Sequence, residues 1–223
     1  MNVPKLCGTV KYQNEKEACA VKATTTDVVE SEHRQRLLEG MSHAVAAKGY
    51  GDTTIADIVR EASVSRRTFY EHFATKAECL VALYEAASHN ALKVLQGAID
   101  PAHEWQTQVE QALAAYLACM ASNPVLMRTL FVEILGLGAQ GLAARRRVNQ
   151  EIADFMLAVI NGSARARAGS RTKRKPLSPD MAMAVVGGIN ELVLQYIEQD
   201  RVAQLQELVA PSSQLVRAAA AEQ

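Results

Sequence analysis

The sequence predicts an all-α protein, with a small N-terminal head of three helices and a larger helical body behind it. Two observations carry this. Aliphatic residues and alanine abound while Phe, Trp and Tyr make up only 5% of the 223 residues, and long stretches run without glycine or proline, a composition that suits helices better than strands. From Leu37 onward, apolar residues also recur at three- and four-residue spacing, the period of a helix with one buried face. The length allows one large or two small domains. The expected division is 1–29 as a mobile arm, 30–76 as the head and 77–223 as the body.

The arm shows no sustained periodicity and scatters Lys11, Lys16 and Lys22 among threonines and other polar residues. Leu37, Met41, Ala44 and Val45 then form an apolar stripe that ends in Lys48-Gly49, a basic last turn followed by a glycine suited to a helix stop. Between Thr54 and Phe73 two short helices are expected. Ile55, Ile58, Val59 and Ala62 mark the first, and Thr54 with Asp57 three residues on forms an acidic variant of the capping box. Ser63-Val64-Ser65 interrupts the pattern, and Ser65 can cap a second helix from Arg66 to about Phe73. In it Phe69 and Phe73 share a buried side, while Arg66, Arg67 and Thr68 crowd the first turn. Two short helices joined by a three-residue turn are a helix-turn-helix, which places its second helix in the DNA major groove with the first turn at the base edges. Thr75-Lys76-Ala77-Glu78 is a further capping box. It opens a long helix to about Gln96, with Leu80, Leu83, Tyr84 and Ala87 on one face.

Residues 31–96 resemble the DNA-binding region and connecting helix of the TetR family of bacterial transcriptional regulators. The matching pieces are Gly49-Tyr50, Thr53-Thr54-Ile55-Ala56-Asp57-Ile58, Val64-Ser65, Thr68-Phe69-Tyr70, His72-Phe73 and Lys76 with Glu78. One position departs: the family usually has glycine where this chain has Ser63, and such a turn often demands a positive φ that glycine supplies without strain. The resemblance implies a homodimer whose two heads enter successive major grooves of a palindromic double-stranded DNA operator, most often as a repressor. Arg66 and Arg67 are the candidates for guanine contacts, and Thr68 for base or phosphate. Tyr70, His72 and Lys76 match family positions that grip phosphate, joined by backbone amides at the capped helix starts near Thr54 and Thr75. The 24 basic and 24 acidic residues cancel. That balance does not oppose DNA binding, because counterion release depends on the charges that meet phosphate and not on the total.

In the body, Asp100-Pro101 marks a boundary. Trp105, Val109, Ala112, Leu113, Tyr116, Leu117 and Met120 then outline an amphipathic helix. Asn123-Pro124 restarts the chain into a helix from Val125 to Leu135, and a glycine-rich turn leads to another through Val148, Ile152, Phe155, Met156 and Val159. The basic run Arg165–Lys175 reads as a solvated loop of open role. From Asp180 the chain is apolar on more than one face and must bury both, and Gly187-Gly188 would let another backbone approach closely. Val202, Leu205, Leu208 and Val209 form an expected last helix before Pro211. The resemblance implies that these two helices dimerise, and the expected interface is Val185, Gly188, Ile189, Leu192, Tyr196 and Leu205. Trp105, Tyr116, Met120, Met127, Phe131, Phe155 and Met156 supply large, adaptable side chains for a pocket, with Asn190 to orient a ligand. The expected effector is a mainly hydrophobic small molecule.

Other chemistries find little support. No apolar run reaches membrane-spanning length and the N-terminus lacks the order of a signal peptide, so a cytoplasmic protein without membrane contact is expected. Cys7, Cys19, Cys79 and Cys119 lack zinc-site spacing, and Cys79 and Cys119 fall inside helical patterns as small core residues. Gly136, Gly138 and Gly141 spell a dinucleotide-binding GxGxxG, but that site needs a strand before it and βαβ units around it. The glycines read instead as a helix stop and loop. Glu30 with His33, and Glu85 with His89, raise a di-iron bundle, which needs two Glu-x-x-His motifs and two more glutamates. No metal, cofactor or catalytic constellation is therefore expected. The alternative is a helical-bundle enzyme or carrier that uses the Gly136–Gly141 segment or an internal pocket and does not act on DNA.

Overall fold

The computed structural model describes residues 25–166 and 176–221, with no strand among them. The expected arm up to residue 24 and all but the first two residues of the basic 165–175 run lie outside the described residues. Residues 25–29, expected in the arm, belong to the first helix. The chain divides into two compact units that meet between Leu83 and Tyr84.

The first unit contains α1 (Thr25–Asp52), α2 (Ile55–Ala62), α3 (Arg66–His72) and the start of α4 (Lys76–Gly97). Helix α1 is broken at Gly49, where φ 77° and ψ 163° lie in a region that is essentially glycine-only. Leu37, Met41 and Val45 of α1 pack with Ile58 and Ala62 of α2, Phe69 of α3, and Cys79 and Leu80 of α4 into a buried core. The α1 and α2 backbones approach closely at Gly40. A Cβ there would stand 2.7 Å from the Ile58 carbonyl oxygen. Leu80 and Leu83 are also buried, which carries this unit past the expected end at Lys76.

The second unit holds the rest of α4, then α5 (Trp105–Ala121), α6 (Pro124–Phe131), a 3₁₀ segment (Glu133–Leu137), α7 (Ala139–Ala166), α8 (Pro179–Glu198), a second 3₁₀ segment (Val202–Leu208) and α9 (Val209–Ala221). Its core joins Trp105, Val109 and Leu113 of α5 with Ala153 and Ile160 of α7, Val185 and Ile189 of α8, and Val216 of α9. Asn161 latches the chain that enters α8: its side-chain amide donates to the Leu177 carbonyl at 3.1 Å, and its oxygen accepts from the Leu177 N–H at 2.8 Å. Ser178 then caps the helix, with Pro179 in its first turn.

Two boundaries differ from expectation. The helix expected from Val125 to Leu135 ends at Phe131, and the tighter 3₁₀ winding takes over. The last helix begins rather than ends near Pro211, because a proline in the first turn forfeits only a donor that has no intrahelical partner. Gly136 lies in the first 3₁₀ segment, Gly138 links it to α7, and Gly141 opens α7 hard against it: a Cβ at Gly141 would fall 1.8 Å from the Ile134 carbonyl oxygen. Close packing therefore explains this glycine without a nucleotide.

Candidate DNA-reading helix and body pocket

The turn between α2 and α3 is built by its caps. Thr54 accepts from the Asp57 N–H at 3.3 Å while the Asp57 carboxylate accepts from the Thr54 N–H at 2.9 Å, so both halves of the capping box form. Asp57 also takes the Lys48 ammonium at 2.6 Å and the Arg60 guanidinium at 3.0 Å. The hydrogen bond from Lys48, then those from the Thr54 hydroxyl and N–H, hold its carboxyl well below the usual carboxylate range. Ser63 sits at φ 52° and ψ 45°, the left-handed conformation that its place in the turn foretold. Its carbonyl accepts from Arg36 at 2.6 Å, which ties the turn to α1. Ser65 caps α3 by accepting from the Thr68 N–H at 3.0 Å.

This scaffold sorts the expected DNA contacts. Phe69 is fully buried and anchors α3. Opposite it Arg66, Arg67 and Tyr70 are exposed. Arg67 reaches back to Glu71 at 3.1 Å, whereas Arg66 makes no ion pair among the described residues. Thr68, half-exposed, shares a hydrogen bond with the Ser65 hydroxyl at 2.9 Å. Thr54 is exposed, but its hydroxyl donates to Asp57 at 2.6 Å. His72 is half-buried beside His33, their rings edge-on at 6.5 Å. Lys76 departs most from expectation. Its ammonium donates to the carbonyls of Tyr50 and Thr53, each at 2.7 Å, and lies 4.2 Å from the Tyr50 ring centroid. A charge held this way serves the α1–α2 connection, because its donors already have partners within the head. The second capping box forms by half: Thr75 accepts from the Glu78 N–H at 3.1 Å, but Glu78 accepts from the Ala74 N–H instead of the Thr75 N–H.

In the body a cleft enclosing about 510 Å³ of empty space, part of it open to solvent, lies among α4, α5, α6, α7 and α8. Of the expected pocket residues it gathers Tyr116, Met120, Met127, Phe131 and Asn190. Phe155 and Met156 line a second cavity with about 390 Å³ of empty space, also partly open to solvent, and Ile152 belongs to both. Trp105 lines neither; it is buried in the α5–α7–α8 core. Sequence reasoning missed Tyr84, Ser88, Arg145 and Asn149. Arg145 had a readable signal, since it keeps helical register with Val148 and Ile152 although it opens an arginine triplet that suggests a solvated face. Burial raises the Tyr84 and Tyr116 phenols, and the Arg145 charge partly offsets the rise at Tyr84. Asn190 donates to Asn149 at 3.0 Å.

The expected interface also changes. Val185, Ile189 and Leu205 are buried within their own chain, because they form the inner face of α8 and the 3₁₀ segment that packs beside α5. Gly188 faces α9, where an added Cβ would lie 3.3 Å from Leu215. Leu192 and Tyr196 are half-buried, and the Tyr196 hydroxyl donates to Glu207 at 3.0 Å. The exposed side of α8 runs instead through Met181, Ala184, Gly187, Glu191 and Gln195.

Glu85 and His89, weighed as metal ligands, both turn toward α7. Glu85 pairs with Arg147 at 2.5 Å and His89 Nε2 lies 3.0 Å from the Glu151 carboxylate, so the two residues serve separate α4–α7 contacts. Among the described residues no three potential ligands converge. Cys79 is buried, which pushes its thiol up to about 12. No single described helix is long and apolar enough to cross a membrane.

Residues 38–83 match the family model described as bacterial regulatory proteins, tetR family. The head is that of the TetR family. The curated relative YxbF of Bacillus subtilis (strain 168), described as an uncharacterized HTH-type transcriptional regulator, is 30% identical over 94 residues. That match spans 42% of this chain and only 25% of the relative. Solved structures extend the likeness of fold beyond the TetR-type head. The fatty acid degradation regulator FadR from Bacillus halodurans superposes with a TM-score of 0.69 at 15% identity, covering 82% of this chain and 96% of that one. FadR from Bacillus subtilis, solved in complex with stearoyl-CoA, gives a TM-score of 0.69 at 14% identity with the same coverage. SmeT, the repressor of the Stenotrophomonas maltophilia multidrug efflux pump SmeDEF, gives 0.65 at 16% identity, covering 83% and 89%.

Proposed function

We propose that the chain is a sequence-specific DNA-binding transcriptional regulator, a cytoplasmic repressor that acts as a homodimer and leaves its operator when a mainly hydrophobic small molecule occupies the body. The observation that carries the DNA reading is α3 itself. It is anchored by buried Phe69, capped by Ser65, tied through Ser63 to Arg36, and presents Arg66, Arg67 and Tyr70 outward. Arg66 is the stronger base reader, because Arg67 has Glu71 as a competing partner. Tyr70 and the exposed edge of α3 are left to grip phosphate, and Lys76 supports the surface from behind rather than joining it.

The ligand reading rests on the paired cavities of the second unit. The stearoyl-CoA complex of a structural neighbour favours it. A mobility-shift assay with DNA upstream of the chain's own coding sequence tests the core of the proposal. Retention of a defined fragment is expected, and Arg66→Ala should relax base preference at one position at a cost of about 1–3 kcal/mol. Binding to no sequence selected from a random DNA pool would return the chain to the reading of a carrier or enzyme that does not act on DNA.

A further inference from the structure

We propose that the body's ligand is a long amphiphile with an anionic head, seated with its head at Arg145 and its tail running along α7 past Ile152 into the second cavity. The inference rests on the ligand-responsive reading above and names the ligand class. Arg145 is the only charged group that lines the first cavity, and no carboxylate lines it. It is half-buried and makes no ion pair among the described residues. Glu85 of α4 and Glu151 of α7 face other partners, Arg147 and His89. A half-buried guanidinium with no carboxylate partner in a mainly apolar cleft that also holds Ser88, Asn149 and Asn190 is placed to take an anion with two oxygens through a bidentate contact. The Tyr116 hydroxyl makes no hydrogen bond among the described residues and borders the same space, where it could donate to the same head.

The second cavity supplies the tail site. All its lining residues are apolar, Phe155, Met156 and Val159 among them. Arg145, Ile152, Phe155, Val159 and Ile160 follow one face of α7. At the rise of a helix this face is about 22 Å long from Arg145 to Ile160, so a short acid would fill the head site only. Trp105 is the chain's one tryptophan and packs in the cluster that includes Val109, Leu113 and Ile160, which line the second cavity. Its fluorescence therefore reports arrival of the tail.

The test titrates the full chain with hexadecanoate, methyl hexadecanoate and octanoate, following heat and Trp105 emission. Hexadecanoate should bind at least about tenfold more tightly than its uncharged ester, the preference expected of a charge-assisted contact. Octanoate should bind without changing Trp105 emission. Arg145→Gln, checked for an unchanged melting temperature, should abolish the preference for acid over ester, and Val159→Phe, on the wall of the second cavity alone, should weaken hexadecanoate while sparing octanoate. Equal binding of acid and ester by the natural chain, an undiminished preference in Arg145→Gln, or no binding of hexadecanoate by a folded chain each overturns the proposal. Operator retention is measured separately: hexadecanoate that binds as described but leaves operator affinity unchanged supports this ligand assignment and refutes only the release mechanism.

Discussion

At the scale of single residues, the head is governed by a few backbone demands that side chains meet unequally well. Ser63 takes a left-handed conformation that costs a non-glycine residue roughly 1–2 kcal/mol, and glycine gives back part of that as extra unfolded-state entropy. Ser63→Gly should therefore raise stability by about 0.5–1 kcal/mol, read as a higher melting temperature with DNA affinity retained. A lower melting temperature would show that the serine side chain contributes more than its backbone strain removes. Lys76 gives the opposite lesson. Its family position and its charge pointed to phosphate, but a sequence cannot show that Tyr50 and Thr53 turn their carbonyls toward it. Lys76→Met should destabilise the head by about 1–2 kcal/mol, since two carbonyls lose a charged donor. If Lys76 gripped phosphate instead, the melting temperature would hold and the salt dependence of DNA binding would fall by about one unit.

At the scale of elements, what the sequence revealed and what it hid follow from how local each cause is. Thr54 with Asp57, Ser65 and the glycine stop at Gly49 act within a turn of their helix, so α2, α3 and the end of α1 were legible. The face of α8 that meets a partner depends on neighbours distant in sequence. Periodicity showed two apolar faces there, but only packing shows that Val185 and Ile189 look inward and that Gly188 is covered by Leu215. Gly187, with nothing within 4 Å of an added Cβ, lies on the open side. If the proposed dimer forms across that side, Gly187→Trp should dissociate it, because a tightly packed interface has no space for an indole. Gly188→Trp should instead strain the chain's own α8–α9 contact and lower its melting temperature. Sedimentation that shows an intact dimer for Gly187→Trp would remove the exposed face of α8 from the interface.

At the scale of the whole molecule, the two compact units are joined through α4, whose first turns belong to the head and whose later residues, Tyr84, Ala87, Ser88 and Ala91, line the first body cavity. This covalent continuity makes coupling possible without fixing its size. A ligand moves the operator equilibrium only by as much as it prefers the released state, so equal affinity for both states would shift nothing. Thermodynamic linkage makes the consequence measurable from either end. If saturating ligand weakens operator binding by some factor, typically about 5–150-fold, saturating operator must weaken ligand binding by the same factor. Titrating ligand into the free protein and into its operator complex, and operator into the free and ligand-bound protein, should yield one common ratio. A substitution on the cavity-lining stretch of α4 that lowers both ratios together, while each intrinsic affinity stays unchanged, would place the coupling in that helix. Ligand that abolishes operator binding outright, with the operator complex taking up none of it, would mean that the two compete at the DNA surface and that the cavity does not govern release.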